Sequence, residues 1–95
     1  MKTWIAERKL IAEVVATGER KSVTVRVGVP YWLPDDEFAS CPLELEGLFD
    51  QVADAKGIDL LQALQQASNI DLMLEGLKEK YNFYWSTGKG YFDED

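Results

Sequence analysis

Histidine is missing from the 95 residues, and cysteine occurs once, as Cys41. Without histidine, the usual base that activates a serine or cysteine nucleophile is absent. One thiol makes no intramolecular disulfide and is too few for a zinc site. Cys41 therefore reads as a small buried hydrophobe rather than a nucleophile. No apolar run approaches the length of a membrane span, and no signal or transit pattern is visible. Together with the lone cysteine, this indicates a reducing, cytoplasmic setting. Secretion by a route without a cleaved signal stays open.

Basic residues are missing from the middle of the chain. Residues 30–55 contain no Lys or Arg against seven acids: Asp35, Asp36, Glu37, Glu44, Glu46, Asp50 and Asp54. Residues 1–29 carry six basic and three acidic side chains, residues 56–95 four and seven, and the net charge is −7. Binding to nucleic-acid phosphates needs the opposite balance, so direct nucleic-acid binding is not expected. An acidic face either meets a basic partner or keeps the protein in solution.

What is present describes one small domain over residues 1–95, ending in an acidic tail, Asp93-Glu94-Asp95, expected to fray. The strongest signal runs from Gly57 to Asn82. Leu60, Ala63, Leu64, Ala67, Ile70, Leu74, Leu77 and Tyr81 recur at steps of three and four, the period of one helix face. Leu61, Leu72 and Met73 widen that stripe or flank it. Asp59 is placed to cap the helix start, with Gln62 reaching back three residues later. The spacing predicts one long helix over 59–81, closed by Asn82 in a left-handed conformation. Ser68 and Asn69 are poor mid-helix residues, so a break there is the alternative. Gly76 weakens the helix by about 1 kcal/mol relative to alanine.

Upstream, Val23, Val25, Val27 and Val29 alternate with Ser22, Thr24, Arg26 and Gly28, the pattern of a half-buried strand. The segment from Trp4 to Val15 has no clean period. The turn Thr17-Gly18-Glu19-Arg20-Lys21 makes it the partner of the valine strand, giving a hairpin over 4–29. Residues 30–40 read as a loop carrying large aromatics. Residues 41–46 alternate again, with Pro42 favouring an edge or a strand beginning. Residues 48–56 fit either a short helix or a fourth strand at 51–55, and strand is preferred. Phe83-Tyr84-Trp85 predicts a strand over 82–86, with Tyr91-Phe92 pairing back. The predicted class is α+β: an antiparallel sheet of four to five strands with the 59–81 helix packed on one face, opposite the four valines.

Ile5-Ala6-Glu7-Arg8, Val23 to Gly28 with Pro30, Cys41-Pro42, Gly47-Leu48 and Gly57-Ile58-Asp59 with Leu61 to Gln65 form a series. It resembles an uncharacterised family of small bacterial proteins, a domain of unknown function. The similarity covers residues 5–65 and implies a small α+β domain. It supplies no activity and no site residues.

No constellation of a catalytic site emerges. Asp35-Asp36-Glu37 and Asp93-Glu94-Asp95 lack the alternating spacing of a calcium loop, and Gly88-Lys89-Gly90 lacks the rest of a phosphate loop. No metal or cofactor is expected. What remains is a surface rich in rings, since Tyr31, Trp32, Phe38, Tyr84, Trp85, Tyr91 and Phe92 fall in loops and end strands. Such rings either fill the ends of a small core or bind proteins. The expected function is a non-enzymatic, inhibitor- or immunity-type binding protein. It would present Tyr31, Trp32, Asp35, Asp36, Glu37, Phe38, Glu44 and Glu46 to a protein with a basic surface. A sharper variant is mimicry of DNA by an ordered stripe of carboxylates. The rival readings are an enzyme or ligand-binding domain with a pocket between helix and sheet, and a self-associating module pairing through the Pro42 edge or the aromatic C-terminal strand.

Overall fold

The computed structural model describes residues 3–34 and 37–92. The expected acidic tail at 93–95 lies outside the described residues. The chain is mixed α and β, with seven strands and a broken helix among the described residues. β1 (Trp4–Val14) and β2 (Arg20–Gly28) form the expected antiparallel hairpin, with Glu13 opposite Arg20 and Trp4 opposite Gly28. Gly18 takes a φ of 75° in its turn, a conformation open to glycine at little cost. β5 (Leu43–Glu46) adds to the free side of β2, and β7 (Tyr81–Trp85) adds to β1. This four-stranded antiparallel sheet has the order β5-β2-β1-β7.

The expectation of one sheet is corrected. A second antiparallel sheet is built from β3 (Tyr31–Trp32), β4 (Ala39–Cys41) and β6 (Ala55–Gly57), in the order β3-β4-β6. The predicted strand 41–46 is two strands divided at Pro42. Proline has no N–H to continue a ladder, and the Pro42 carbonyl instead accepts a 2.8 Å hydrogen bond from the Gly28 amide. Cys41 thus ends in one sheet and Leu43 begins in the other. The segment read as a loop contains β3, which pairs Tyr31 with Ser40 and Trp32 with Ala39. The predicted strand 51–55 lies further on, at 55–57, where Cys41 pairs with Ala55 and Ala39 with Gly57.

The predicted helix 59–81 is also corrected. It is α1 (Leu60–Ser68) and α2 (Ile70–Glu75), broken at Asn69. The cap works as read from the sequence. The Gln62 amide donates to Asp59 Oδ1 at 2.7 Å, and Gln62 Oε1 accepts from the Ile58 amide at 2.7 Å. The break falls at the two weak residues. The Ser68 hydroxyl donates to the Leu64 carbonyl at 2.8 Å, and Asn69 leaves helical geometry with ψ at 60°. α2 stops at Gly76, and tighter turns lead to Lys80, with Leu77 bonding back to Leu74 and Lys80 to Leu77. Tyr81 and Asn82 are then extended, because they pair with Val14 and Glu13. Asn82 is therefore a strand residue rather than a helix stop, and the last strand is 81–85 rather than 82–86. Tyr91 does pair back, its amide donating to the Phe83 carbonyl at 2.9 Å.

Two clusters make the core. Leu10, Ala12, Val23, Val25, Leu45 and Phe83 of the four-stranded sheet join Ile70 and Leu74 of α2. Val27, Ala39, Cys41 and Leu43 join Ala63 and Ala67 of α1. Each large buried side chain here contributes about 1.5–3 kcal/mol. Three of the four valines face inward as expected. Val29 does not: it lies beyond the end of β2 and is 46% exposed.

Candidate protein-binding surface

β3 and β4 form a second, shorter hairpin, closed by a 2.9 Å bond from the Leu33 amide to the Phe38 carbonyl. Tyr31, Trp32 and Phe38 are all exposed on it, as is Glu37. The Tyr31 hydroxyl donates to Asp54 Oδ2 at 2.8 Å, joining the hairpin to the segment that leads into β6. Asp35 and Asp36, expected in the same surface, lie outside the described residues.

Glu44 and Glu46 are placed elsewhere. They alternate with buried Leu43 and Leu45 along β5, on the face of the four-stranded sheet turned from the core. Arg26 of β2 gathers them. Its Nη1 donates to Glu44 Oε1 at 2.7 Å and to Glu46 Oε1, and its Nε lies 3.4 Å from Glu7 Oε2. The hydrogen bonds to Glu46 and Glu44 hold the guanidinium pKa above its ordinary value. Three carboxylates surrounding one guanidinium leave a net charge of −2. The six described residues of the sequence set are thus divided between two sheets. Tyr31, Trp32, Glu37 and Phe38 stay together on the short hairpin, while Glu44 and Glu46 belong to an ion-paired group. Of the four carboxylates that DNA mimicry would set in one stripe, Glu44, Glu46 and Asp50 line one cleft with Arg26 among them, and Asp54 is bonded to Tyr31 of the other sheet.

Two exposed apolar residues that the sequence reading did not put on the surface lie where β6 leads into α1. Ile58 follows β6 directly, and Leu61 is in the first turn of α1. They are 65% and 63% exposed. Leu61 was read as a flank of the core stripe, and the helix instead packs through Ala63 and Ala67 and leaves Leu61 in water. The Ile58 signal was present, an apolar residue between a glycine and a helix cap.

Chemistry elsewhere is sparse. Cys41 is buried, its thiol 3.3 Å from the Gly28 carbonyl. Burial, and secondarily the charge of Asp54, push the thiol pKa up, away from the reactive thiolate. Ser86 and Lys89 stand in Ser-x-x-Lys order, but in an exposed turn closed by a 2.7 Å bond from the Trp85 amide to the Lys89 carbonyl. The desolvation that activates a lysine base has no counterpart there. A cleft of about 130 Å³ opens between Ala6, Arg8, Val25, Val27, Ser68 and Ile70, and another of about 370 Å³ beside Arg26, Glu44, Glu46 and Asp50. Among the described residues no group of three or more His, Cys, Asp or Glu is placed to hold a metal ion, and no helix is long and apolar enough to cross a membrane.

No protein-family model, curated protein or solved structure matches the chain. The functional reading therefore rests on the geometry.

Proposed function

We propose that the chain is a small, non-enzymatic protein-binding module, of the inhibitor or immunity type, that presents an acidic and aromatic surface to a partner with a basic face. The observation that carries this reading is the exposure of Tyr31, Trp32 and Phe38 on a paired hairpin whose Tyr31 is bonded to Asp54. Aromatic side chains carry a large contact area on few rotatable bonds, which suits exposed ones to anchor a partner. The surrounding acid favours association with a basic surface and speeds encounter. The reading also assumes a filled interior, with α2 lying across the inner face of the four-stranded sheet. Ile70 and Leu74 support that, since both belong to the cluster built on Leu10, Val23, Val25 and Phe83.

Self-association is less well supported. The C-terminal strand edge is covered at one end by Gly90, which bridges Tyr84. The edge of β1 over residues 4–9 carries Glu7, Arg8 and Lys9 together with a register shift between Trp4 and Ala6, features that oppose edge-to-edge pairing.

The test is capture from a bacterial lysate, the source the sequence resemblance implies, using wild type, Trp32→Ala and Glu37→Lys in parallel. A protein held by wild type and lost from both variants supports the reading. A partner retained by both variants removes the short hairpin from the interface.

A further inference from the structure

β1 is covered over only part of its length. β7 pairs with it from Leu10 to Val14, and there Leu10 and Ala12 are buried. Ala6, Glu7, Arg8 and Lys9 are exposed, although β2 pairs with all four. The Val14 amide is turned to β2, so alternation turns the amide and carbonyl of both Glu7 and Lys9 to the other edge. Among the described residues no strand pairs with that edge. A row of strong donors and acceptors is thus left for an added strand. A cleft of about 130 Å³ opens on the core side of the same edge. Its walls include Ala6 and Arg8, their ladder partners Val27 and Val25, and Ser68 and Ile70 at the break between the helices. A hollow of about 150 Å³ admits a benzene-sized group, so the cleft has room for one apolar side chain.

Charge narrows what fits there. The Arg8 guanidinium donates to the Tyr91 hydroxyl and lies 3.8 Å from Asp71, so its charge is met within the chain. Glu7 is 3.4 Å from Arg26 on the opposite face. The Lys9 ammonium has no ion-pair partner among the described residues. A second copy laying its residues 5–9 antiparallel on the same five would set Glu7 against Glu7, and like charges directly opposite are destabilising. We propose that this edge takes up an extended segment of another protein as an added antiparallel strand, continuing the line of β7. An acidic side chain would stand opposite Lys9 and a basic one opposite Glu7, both on the outer face. Apolar side chains would stand opposite Arg8 and Ala6 on the inner face, the last one filling the cleft. The edge belongs to the four-stranded sheet, so the inference goes beyond the hairpin reading and stands apart from it.

The experiment titrates the full chain with an acetylated Glu-Val-Lys-Leu-Thr peptide amide, followed by amide NMR and hydrogen exchange. Binding is expected to slow exchange at Glu7 and Lys9. The same peptide N-methylated at its Glu and Lys amides, which keeps every side chain and loses the strand donors, does not bind. Serine in place of the peptide leucine weakens binding about tenfold or more. Lys9→Glu weakens it about fivefold, and a peptide with lysine in place of its glutamate recovers the loss. Trp32→Ala leaves it unchanged. Equal binding by the methylated peptide, binding that leaves exchange at Glu7 and Lys9 fast, or no binding at about 1 mM peptide overturns the added strand. Loss of binding in Trp32→Ala moves the peptide to the short hairpin and overturns it as well. Slow exchange at both amides in the free protein shows an edge already filled. It is filled by a second copy if the protection grows with protein concentration and from within the chain if it does not, and either overturns the proposal.

Discussion

A methyl group placed on Gly57 would stand 2.5 Å from the backbone nitrogen of Ala63 and 2.8 Å from the carbonyl carbon of Gln62. β6 and the first turn of α1 therefore meet backbone to backbone. The contact sets the end of the three-stranded sheet against the helix that carries Leu61. It needs glycine for closeness rather than for an unusual dihedral. Gly57→Ala is expected to destabilise the protein by about 1–3 kcal/mol through overpacking against backbone atoms. A fall in the urea midpoint without a change in slope checks it.

Leu74 and Leu72 are two residues apart on α2 and opposite in environment. Leu74 is fully buried in the cluster with Leu10 and Phe83, and Leu72 is 67% exposed. Leu74→Ala is expected to cost about 2–5 kcal/mol, combining lost burial with the cavity left behind. Leu72→Ala stays within about 0.5 kcal/mol of wild type. Thermal or urea unfolding of the pair measures both, and equal losses would place the core face of α2 elsewhere.

Glu13 lies on the outer face of the four-stranded sheet. Its Oε2 accepts from Arg20 Nε at 3.0 Å, and its Oε1 accepts from Asn82 Nδ2 at 3.3 Å. The Arg20 hydrogen bond, and secondarily that of Asn82, hold the Glu13 pKa below its ordinary value of 4.5. A depressed folded-state pKa means that the unfolded chain binds this proton more readily. The contribution to stability is thus present above pH 4.5 and lost as pH falls through the folded value. Arg20→Ala is expected to move the Glu13 titration upward, seen by carbon NMR of the carboxyl group. It also narrows the gap in stability between neutral and acidic pH, an effect reduced by salt because the pair is exposed.

β1 is paired with β7 only from Leu10 to Val14. The Val14 amide bonds to Glu19 on the β2 side, and the Val15 amide bonds to Lys80 on the β7 side. Alternation then turns the amides of Ile11 and Glu13 toward β7, and those of Glu7 and Lys9 toward an edge with no described partner strand. Hydrogen exchange at Glu7 and Lys9 is expected to be fast while Ile11 and Glu13 are protected in the same strand. Protection at Glu7 and Lys9 that grows with protein concentration would instead reveal strand pairing between copies.

Several elements were legible because their causes are local. Val23, Val25 and Val27 alternate with polar residues within five positions, so their strand is visible in any window around them. Asp59 and Gln62 form the helix cap across three residues, and both of its hydrogen bonds are present. Ser68 and Asn69 were recognised as weak, but propensity alone did not determine whether the helix would break there. The candidate surface was half legible. Tyr31, Trp32, Glu37 and Phe38 were found by their clustering in sequence. Glu44 and Glu46 were assigned to the same face because they share its charge, and Arg26, eighteen residues before Glu44, shows why they do not belong to it. The exposure of Ile58 and Leu61 was not legible, because it depends on what the rest of the chain leaves uncovered.

The amino-acid sequence by itself determined the hairpin of β1 and β2, the capped start of α1, the inward cysteine and the acidic middle of the chain. Each follows from side-chain period, capping chemistry or composition within a few residues. Only the tertiary structure decided that Pro42 divides two sheets, that Gly57 rather than a longer strand closes the second sheet against Ala63, and that one arginine collects three glutamates. Those outcomes depend on the Gly28 amide meeting the Pro42 carbonyl, on how closely β6 and α1 can approach, and on which side chains the pairing of strands brings together.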